Sequence, residues 1–196
     1  MKESGKPVLP DEELIRSALG GDDEAFRELM ERYKGRAYGV AIGIVGDPDE
    51  AQDVVQDAFV KAYYRLKDFR FGSNFYTWFY RLLVNQAIDR WRKRSRAPTV
   101  SLDESWMSGE GTMPEAVAYP KTPEELAGNR ELVEGLSRAI GALPEHHRTV
   151  ILLREVDGLS YDEIAQVLAC SVGTVMSRLH YARAKLREAL KEFREG

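Results

Sequence analysis

The sequence is poor in the side chains that build most metal and redox sites. Among its 196 residues there are only one cysteine, Cys170, and three histidines. A single thiol excludes a disulfide within the chain and a thiolate-rich zinc site. We interpret Cys170 as a buried or half-buried thiol rather than a redox sensor. We expect neither a metal nor a cofactor.

Long apolar runs and strand-like alternation are also missing. No stretch approaches the roughly 20 apolar residues of a membrane span, and no apolar run follows the lysines near the start, as a signal peptide requires. We therefore expect a cytoplasmic protein with no direct membrane insertion. Hydrophobic residues make up 43% of the chain and recur at intervals of three and four. This spacing predicts an all-α fold.

The net charge of −4 hides a strongly segmental distribution. Residues 1–60 carry 7 basic and 14 acidic side chains, whereas residues 61–100 carry 10 basic and 2 acidic ones. Five of these bases lie close to Trp91, namely Arg90, Arg92, Lys93, Arg94 and Arg96. Such a cluster predicts a binding site for phosphate groups, although a solvated helix end has a similar composition.

The first half of the chain has the pattern of three amphipathic helices. One begins near Phe26 and ends at Gly46, where Asp47 and Pro48 are well placed to cap and start the next. Residues 71–74 interrupt the pattern before a third helix, which runs from Phe75 into the basic cluster.

A segment without periodicity, residues 97–128, separates this region from a second helical one. It is rich in proline, glycine, serine and acidic residues, as flexible linkers are. We therefore assign residues 1–21 to a tail with a short helix, 22–96 to a first domain and 129–196 to a second. Fully extended, the linker would span roughly 100 Å at about 3.3 Å per residue.

The second domain carries the pattern of a helix-turn-helix. Pro144 starts a predicted helix that continues through Val156, and Ser160 and Glu163 form a capping box that starts a short one. A turn at residues 169–171 leads to a longer helix with apolar positions 172, 175, 179, 182 and 186 on one side. Its polar and cationic side matches the surface that enters the major groove in this motif. The alternative is an ordinary helical hairpin with a solvated face.

Three stretches together resemble bacterial sigma factors of the extracytoplasmic-function (ECF) class of the sigma-70 family. They are DPDEAQDVVQDAFVKAYYRL, FYTWFYRLLVNQAIDRWRKRSR and LPEHHRTVILLREVDGLSYDEIAQVLACSVGTVMSRLHYARAKLRE. The resemblance covers about residues 22–95 and 130–192. It implies an alternative sigma factor that binds the largest and second-largest subunits of core RNA polymerase, directs it to promoter DNA and is controlled by an anti-sigma factor. No catalytic residue and no small-molecule substrate are expected.

The resemblance places the polymerase contact on the helix that follows Pro48. The residues that it implies are Asp53, Gln56, Asp57, Val60, Tyr63 and Tyr64. Val60 and the two tyrosines widen the apolar surface beyond one helix stripe while acids surround it, which favours a protein interface. For Phe59 and Tyr63, packing inside the domain is an equal alternative.

In this class the loop before the third helix and the helix itself open the minus-ten promoter element and hold the displaced strand. Carried onto this sequence, that role falls to Arg70, Phe71, Ser73, Asn74, Tyr76, Trp78, Arg81, Asn85, Asp89, Arg90, Trp91, Arg92 and Lys93. Single-stranded DNA binding needs aromatic platforms and a cationic groove, and this segment has both. The spacing of Phe75, Trp78 and Phe79 favours core packing. We therefore expect Tyr76 and Trp91 to be the exposed aromatic residues.

The second domain would read the minus-thirty-five element as duplex DNA. The residues that this implies are Ser171, Thr174, Met176, Ser177, Arg178, His180, Tyr181, Arg183 and Lys185. Met176 departs from the family, which often has a basic residue there. Arg178 has three alternatives: a contact to a base, a contact to phosphate, or an ion pair with Asp162 or Glu163 that braces the turn. Elements about 25 base pairs apart lie ~85 Å from each other, a distance that the linker can span.

Two other functions compete with this interpretation. A stand-alone helix-turn-helix repressor or activator would need its own dimer interface or ligand domain, and nothing in the sequence resembles either. A phosphate-handling enzyme would need a glycine-rich phosphate loop or a metal cluster, and no such motif is found. Association with core polymerase distinguishes all three functions.

Overall fold

The computed structural model describes residues 9–96 and 130–191, and side chains within 9–94 and 135–191. Its first helices are α1 (Asp11–Leu19), α2 (Asp23–Val45), α3 (Pro48–Arg65) and α4 (Phe75–Arg96), with a 3₁₀ turn at Leu66–Asp68. After the gap follow α5 (Arg130–Gly141), α6 (Glu145–Ile151), α7 (Tyr161–Leu168) and α8 (Val172–Ala189). Every regular element within these ranges is helical, which confirms the all-α prediction. The predicted linker lies outside the described residues.

The helix ends follow the local chemistry that the sequence predicts. Gly46 ends α2 in the left-handed conformation with φ of 73°, and the Asp47 carboxylate accepts the amide of Glu50 at the start of α3. Ser160 and Glu163 form a complete capping box on α7. In one place the prediction was too simple. The helix that starts at Pro144 changes at Leu152–Val156 into a π-helical segment.

The core of the first unit is built by α2, α3 and α4, with α1 packed on α2. Phe79 is fully buried and stacks on Phe59 with ring centroids 4.4 Å apart. Phe75 is also buried and Trp78 is half-buried, so the expected core placement of these aromatics is confirmed. The short helix α1 is not part of a tail, as predicted, because it buries Leu14 and Ile15 completely and belongs to this core.

In the second unit, α7 and α8 form the helix-turn-helix, and α5 and α6 pack on α8. Val175, Leu179 and Ala182 are buried along one side of α8, as their spacing predicts. The turn between the helices passes through Ala169, the single non-glycine residue of the described ranges with a positive φ, at 50°. The Ser171 hydroxyl then accepts the Thr174 amide and caps α8.

The two units are packed against each other. Helix α4 contacts α7, and α2 contacts α5, α6 and the π-helical segment. The close approach at the last of these contacts depends on Gly43, because a Cβ atom there would lie 2.6 Å from a methyl carbon of Leu152. No periodicity argument predicted this arrangement.

Candidate protein and nucleic-acid interfaces

The outer face of α3 exposes more apolar surface than a solvated helix needs. Val60, Tyr63 and Tyr64 are 49%, 44% and 72% exposed and Gln56 and Asp57 beside them are exposed as well. Of the two residues with open alternatives, Phe59 belongs to the core, at 3% exposed. Tyr63 is intermediate between an exposed interface residue and a core residue. Its ring packs edge-on against Phe26 and its hydroxyl donates to Asp23 at 2.7 Å.

The loop between α3 and α4 is exposed and internally ordered. The Ser73 hydroxyl donates to the Arg70 carbonyl at 2.6 Å, and the Asn74 side-chain oxygen accepts the Tyr76 amide at 3.0 Å, which caps α4. Phe71 is 40% exposed, and the guanidinium of Arg16 lies over its ring, 4.3 Å from the centroid. This loop therefore presents an accessible aromatic ring beside a cation, as single-strand binding requires.

Helix α4 has an exposed stripe that continues from this loop. Half-buried Trp78 begins it, and the exposed Arg81, Asn85, Asp89 and Lys93 follow at intervals of three and four residues. The helix thus brings five of the predicted minus-ten residues onto one accessible side.

Tyr76 and Trp91 lie on a different side of α4, and the expectation that both are exposed was wrong. Tyr76 is 7% exposed and contacts Tyr80, with centroids 4.2 Å apart. Trp91 is half-buried under the guanidinium of Arg148, 5.3 Å from the ring centroid. The spacing of four, eleven and fifteen residues from Tyr76 to Tyr80, Ala87 and Trp91 gives α4 a second buried side. That side faces the second unit.

The bases at the end of α4 are largely engaged by acids of the protein itself. Arg90 donates to Asp53 at 2.7 Å, and Arg94 lies 3.5 Å from Glu50. Arg92 forms a bidentate ion pair with Glu145 of the other unit, with both N···O distances 2.8 Å. In this arrangement DNA phosphates would have to compete with these carboxylates.

Most of the α8 residues that are predicted to contact the minus-thirty-five element are exposed. Ser171, Met176, Ser177, His180 and Tyr181 are exposed, with Met176 at 54% and Tyr181 at 41%. Arg183 is exposed but donates to Glu155 at 2.6 Å, and Lys185 pairs with Glu188 at 3.3 Å. Thr174 is half-buried and its hydroxyl lies 2.8 Å from that of Ser171. The middle of the surface is therefore formed by small polar and apolar side chains.

Arg178 lies half-buried at one border of this surface. Among the described residues it forms no ion pair with Asp162 or Glu163, so the bracing alternative has no support there. The charge of Arg178 acts on His147. The pKa of His147 is lowered by burial and further by His146 and Arg178. The His147 ring in turn packs against Tyr181 with centroids 4.2 Å apart.

Known proteins match the chain on both sides of the linker. The model of sigma-70 region 2 matches residues 29–97, and that of sigma-70 region 4 matches residues 134–186. The ECF RNA polymerase sigma-E factor of Escherichia coli is 40% identical over 175 residues, which are 89% of this chain and 91% of the relative. The chain belongs to the ECF sigma factors. The RNA polymerase sigma-H factor of Pseudomonas aeruginosa is 37% identical and aligns with 92% of this sigma factor and 94% of its own length.

A solved structure also resembles this sigma factor. It is the sigma factor RpoE in complex with the anti-sigma factor NepR from Bartonella quintana, with a TM-score of 0.67 and 26% identity. The match covers 85% of this chain and 96% of that one. Within the described ranges of this sigma factor, no helix is long and apolar enough to cross a membrane.

The sequence reasoning missed two buried charged residues of this sigma factor. Asp157 is 5% exposed and Arg148 is 8% exposed. Arg148 donates to the carbonyls of Ile44, Gly141 and Leu143 at 3.0, 2.6 and 3.1 Å. Asp157 directly follows the helix that the sequence predicts to continue through Val156. The partners of these two charged residues in the first unit, Ile44 for Arg148 and Arg36 and Tyr80 for Asp157, are 77 to 121 positions away, so no local pattern indicates them.

The side-chain carboxylate of Asp157 accepts two hydrogen bonds from the first unit. Arg36 Nε donates to its Oδ1 at 2.9 Å and the Tyr80 hydroxyl donates to the same oxygen at 3.1 Å. Oδ2 is buried and accepts no hydrogen bond within the described structure. Burial raises the pKa of Asp157 from 3.8 to about 6, and the Arg36 charge offsets only part of that effect.

This raised pKa predicts the sign of a pH effect on stability. The folded protein keeps the Asp157 proton up to about pH 6, whereas the unfolded chain releases it near pH 4. The stability that the protonated Asp157 contributes to the folded protein is therefore fully present below about pH 4 and is lost as the pH rises through about 6. Asp157→Asn removes the titration and keeps an acceptor for Arg36. From about pH 5 to 7.5, the wild type should lose about 1 kcal/mol relative to this variant in urea unfolding. A difference that is independent of pH would contradict this assignment.

Proposed function

We propose that this sigma factor binds core RNA polymerase through the outer face of α3 and reads its promoters with two separate surfaces. The loop at residues 70–74 and the exposed stripe of α4 open and hold the minus-ten element. The exposed side of α8 reads the minus-thirty-five element in the major groove. The observation that carries the proposal is the continuity of the loop with that stripe. The loop and the stripe together place an exposed aromatic ring, cationic side chains and a side-chain amide along one continuous accessible surface.

The docking role of α3 is supported by the kind of surface that it exposes. Large side chains that stay exposed and are bordered by acids are typical of protein interfaces rather than of solvated helices. We propose the clamp helices of the largest polymerase subunit as the main partner, with further contacts to the second-largest subunit. The protein would therefore act in the cytoplasm, and without chemistry of its own.

An anti-sigma factor is the second proposed protein partner. The structural relative from Bartonella quintana is bound to one, and the likeness extends over 85% of this chain. An anti-sigma factor that covers α3 would block the polymerase contact without unfolding the protein.

A change in the minus-ten surface tests the assignment of the two reading surfaces. We expect Asn85→Ala to weaken selection at one minus-ten position by about 1 kcal/mol, roughly fivefold, because an exposed amide that binds a base would be lost. Transcription from a promoter library randomised at both elements measures the preference. The matched control is Gln166→Ala, an exposed amide on α7. A shifted minus-thirty-five preference in the Asn85 variant would contradict the assignment.

A further inference from the structure

The exposed ring of Phe71 is held between the core and a cation. It packs against buried Phe69, with ring centroids 5.7 Å apart and the ring planes at 77° to each other. Phe69 in turn contacts Phe75 and Trp78, with centroids 5.8 and 5.6 Å away. The guanidinium of Arg16 lies over the Phe71 ring, 4.3 Å from its centroid. The ring is therefore anchored to the aromatic core and capped by a charge, and it still has an exposed part.

The cation belongs to α1, which is firmly attached to α2. Ile15, the residue before Arg16, is fully buried. The Asp11 carboxylate at the start of α1 accepts hydrogen bonds from Arg32 and from the Tyr33 hydroxyl. The Arg16 side chain itself is exposed. Helix α1 thus holds the backbone of Arg16 in a fixed place beside the loop.

The charge of Arg16 is not neutralised by an acid of the described part of the chain. No carboxylate there forms an ion pair with it, whereas the next two cations, Arg27 and Arg32, pair with Glu24 and Asp11. A guanidinium that stacks on an aromatic ring uses its face for that contact and keeps N–H donors at its edge. These donors suit a phosphate, which accepts two of them at once.

We propose that Arg16 is a DNA-binding residue and that it forms one site with Phe71 for a single unpaired nucleotide of the displaced strand. The base stacks on the exposed part of the Phe71 ring, and the Arg16 guanidinium binds the phosphate next to that base. The proposal rests on the proposed function, which assigns the loop at residues 70–74 to the minus-ten element. It extends the minus-ten surface to α1.

The two parts of this site match the two parts of a nucleotide. Proteins that hold single strands combine aromatic side chains, on which bases stack, with cations that bind the backbone. The faces of a base within a duplex are covered by its neighbours, so the ring selects an unstacked base. The Ser73 hydroxyl, which donates to the Arg70 carbonyl, orders the loop before DNA binds. The contact between Arg16 and Phe71 also becomes stronger when DNA excludes water from it.

The first test removes the charge of Arg16 and keeps a residue that favours a helix. Arg16→Gln is prepared in complex with core RNA polymerase, and its binding to a fluorescent oligonucleotide with the displaced strand of a minus-ten element is measured by anisotropy at several salt concentrations. We expect binding to be about tenfold weaker, because a charge-assisted hydrogen bond is lost. The slope of log affinity against log salt should fall in magnitude by about 0.7, the value for one phosphate of a single strand.

Two variants separate a phosphate contact from a general effect of charge or folding. Arg27→Gln removes the same charge from an exposed position of α2 and should keep both the affinity and the salt slope of the parent. Arg16→Lys keeps the charge and should restore the slope with part of the affinity, because lysine lacks the paired donors of arginine. The thermal unfolding midpoints of all variants should stay close to that of the parent. Parent-like affinity and slope in Arg16→Gln would overturn the proposal.

A double-mutant cycle tests whether Arg16 and Phe71 hold the same nucleotide. Phe71→Ala alone should weaken binding of the oligonucleotide. The double variant should lose less affinity than the product of the two single losses, because each side chain positions the nucleotide for the other. Losses that multiply independently would exclude a shared site.

Failure of the proposed function gives a different result. If the complex of polymerase with the parent protein bound the oligonucleotide no better than core polymerase alone, the minus-ten assignment of the loop would be wrong. If that complex bound the oligonucleotide well and Arg16→Gln bound it equally, only the role of Arg16 would be wrong.

Discussion

Replacing Gln56 and Val60 together with lysine is expected to abolish association of the protein with core RNA polymerase. Both residues are exposed on α3, so the change should leave the fold intact. In a complex the two ammonium groups would be forced against a surface that accommodates an apolar side chain, and burying charge without a partner costs several kcal/mol. We expect a loss of affinity on the order of 100-fold or more, measured by co-purification and by competition with a second sigma factor.

The matched control for this change is Gln166→Lys, which makes the same substitution on an exposed position of α7. It should bind core polymerase as the parent does. Thermal unfolding of all variants checks that the domain is folded. Normal co-purification of the double variant would remove the outer face of α3 from the interface.

Arg178→Ala is expected to reduce binding to the preferred promoter by about 1–3 kcal/mol, which is roughly 5-fold to 150-fold. An arginine in the first turns of a recognition helix can bind guanine O6 and N7 with two hydrogen bonds or grip a phosphate. In the first case, selectivity relaxes at one base pair of the minus-thirty-five element. In the second, binding weakens evenly across all sequences. Anisotropy titrations with a set of single-base variants of that element distinguish them.

The stability of the Arg178 variant provides the check on this prediction. Since Arg178 pairs with neither Asp162 nor Glu163 in the described structure, its removal should change the unfolding free energy by no more than about 0.5 kcal/mol. Arg187→Ala, an exposed arginine in the last turn of α8, is the control and should bind the promoter nearly as the parent does. A large loss of stability with unchanged affinity and selectivity would exclude a DNA contact for Arg178.

The sequence by itself determined the helices and the side that each turns to its own core. The spacing of Val175, Leu179 and Ala182 predicted one buried stripe of α8, and Asp47 and Ser160 predicted where α3 and α7 begin. These are local properties, since helix periodicity and capping depend on residues within a few positions of each other. The same reasoning predicted Phe75, Trp78 and Phe79 as core residues, together with the apolar surface of α3.

Only the tertiary structure decided what covers the second side of α4. A tyrosine at position 76 and a tryptophan at position 91 have the composition of exposed stacking residues, and no pattern within α4 distinguishes that role from packing against another unit. Tyr76 packs against Tyr33 and Arg36 of α2, and Trp91 lies under Arg148 of the second unit. The same is true of Asp157, whose raised pKa arises from burial in the complete fold and whose partners Arg36 and Tyr80 lie in the other half of the chain. Burial and long-range pairing are properties of the assembled surface, so local sequence spacing cannot determine them.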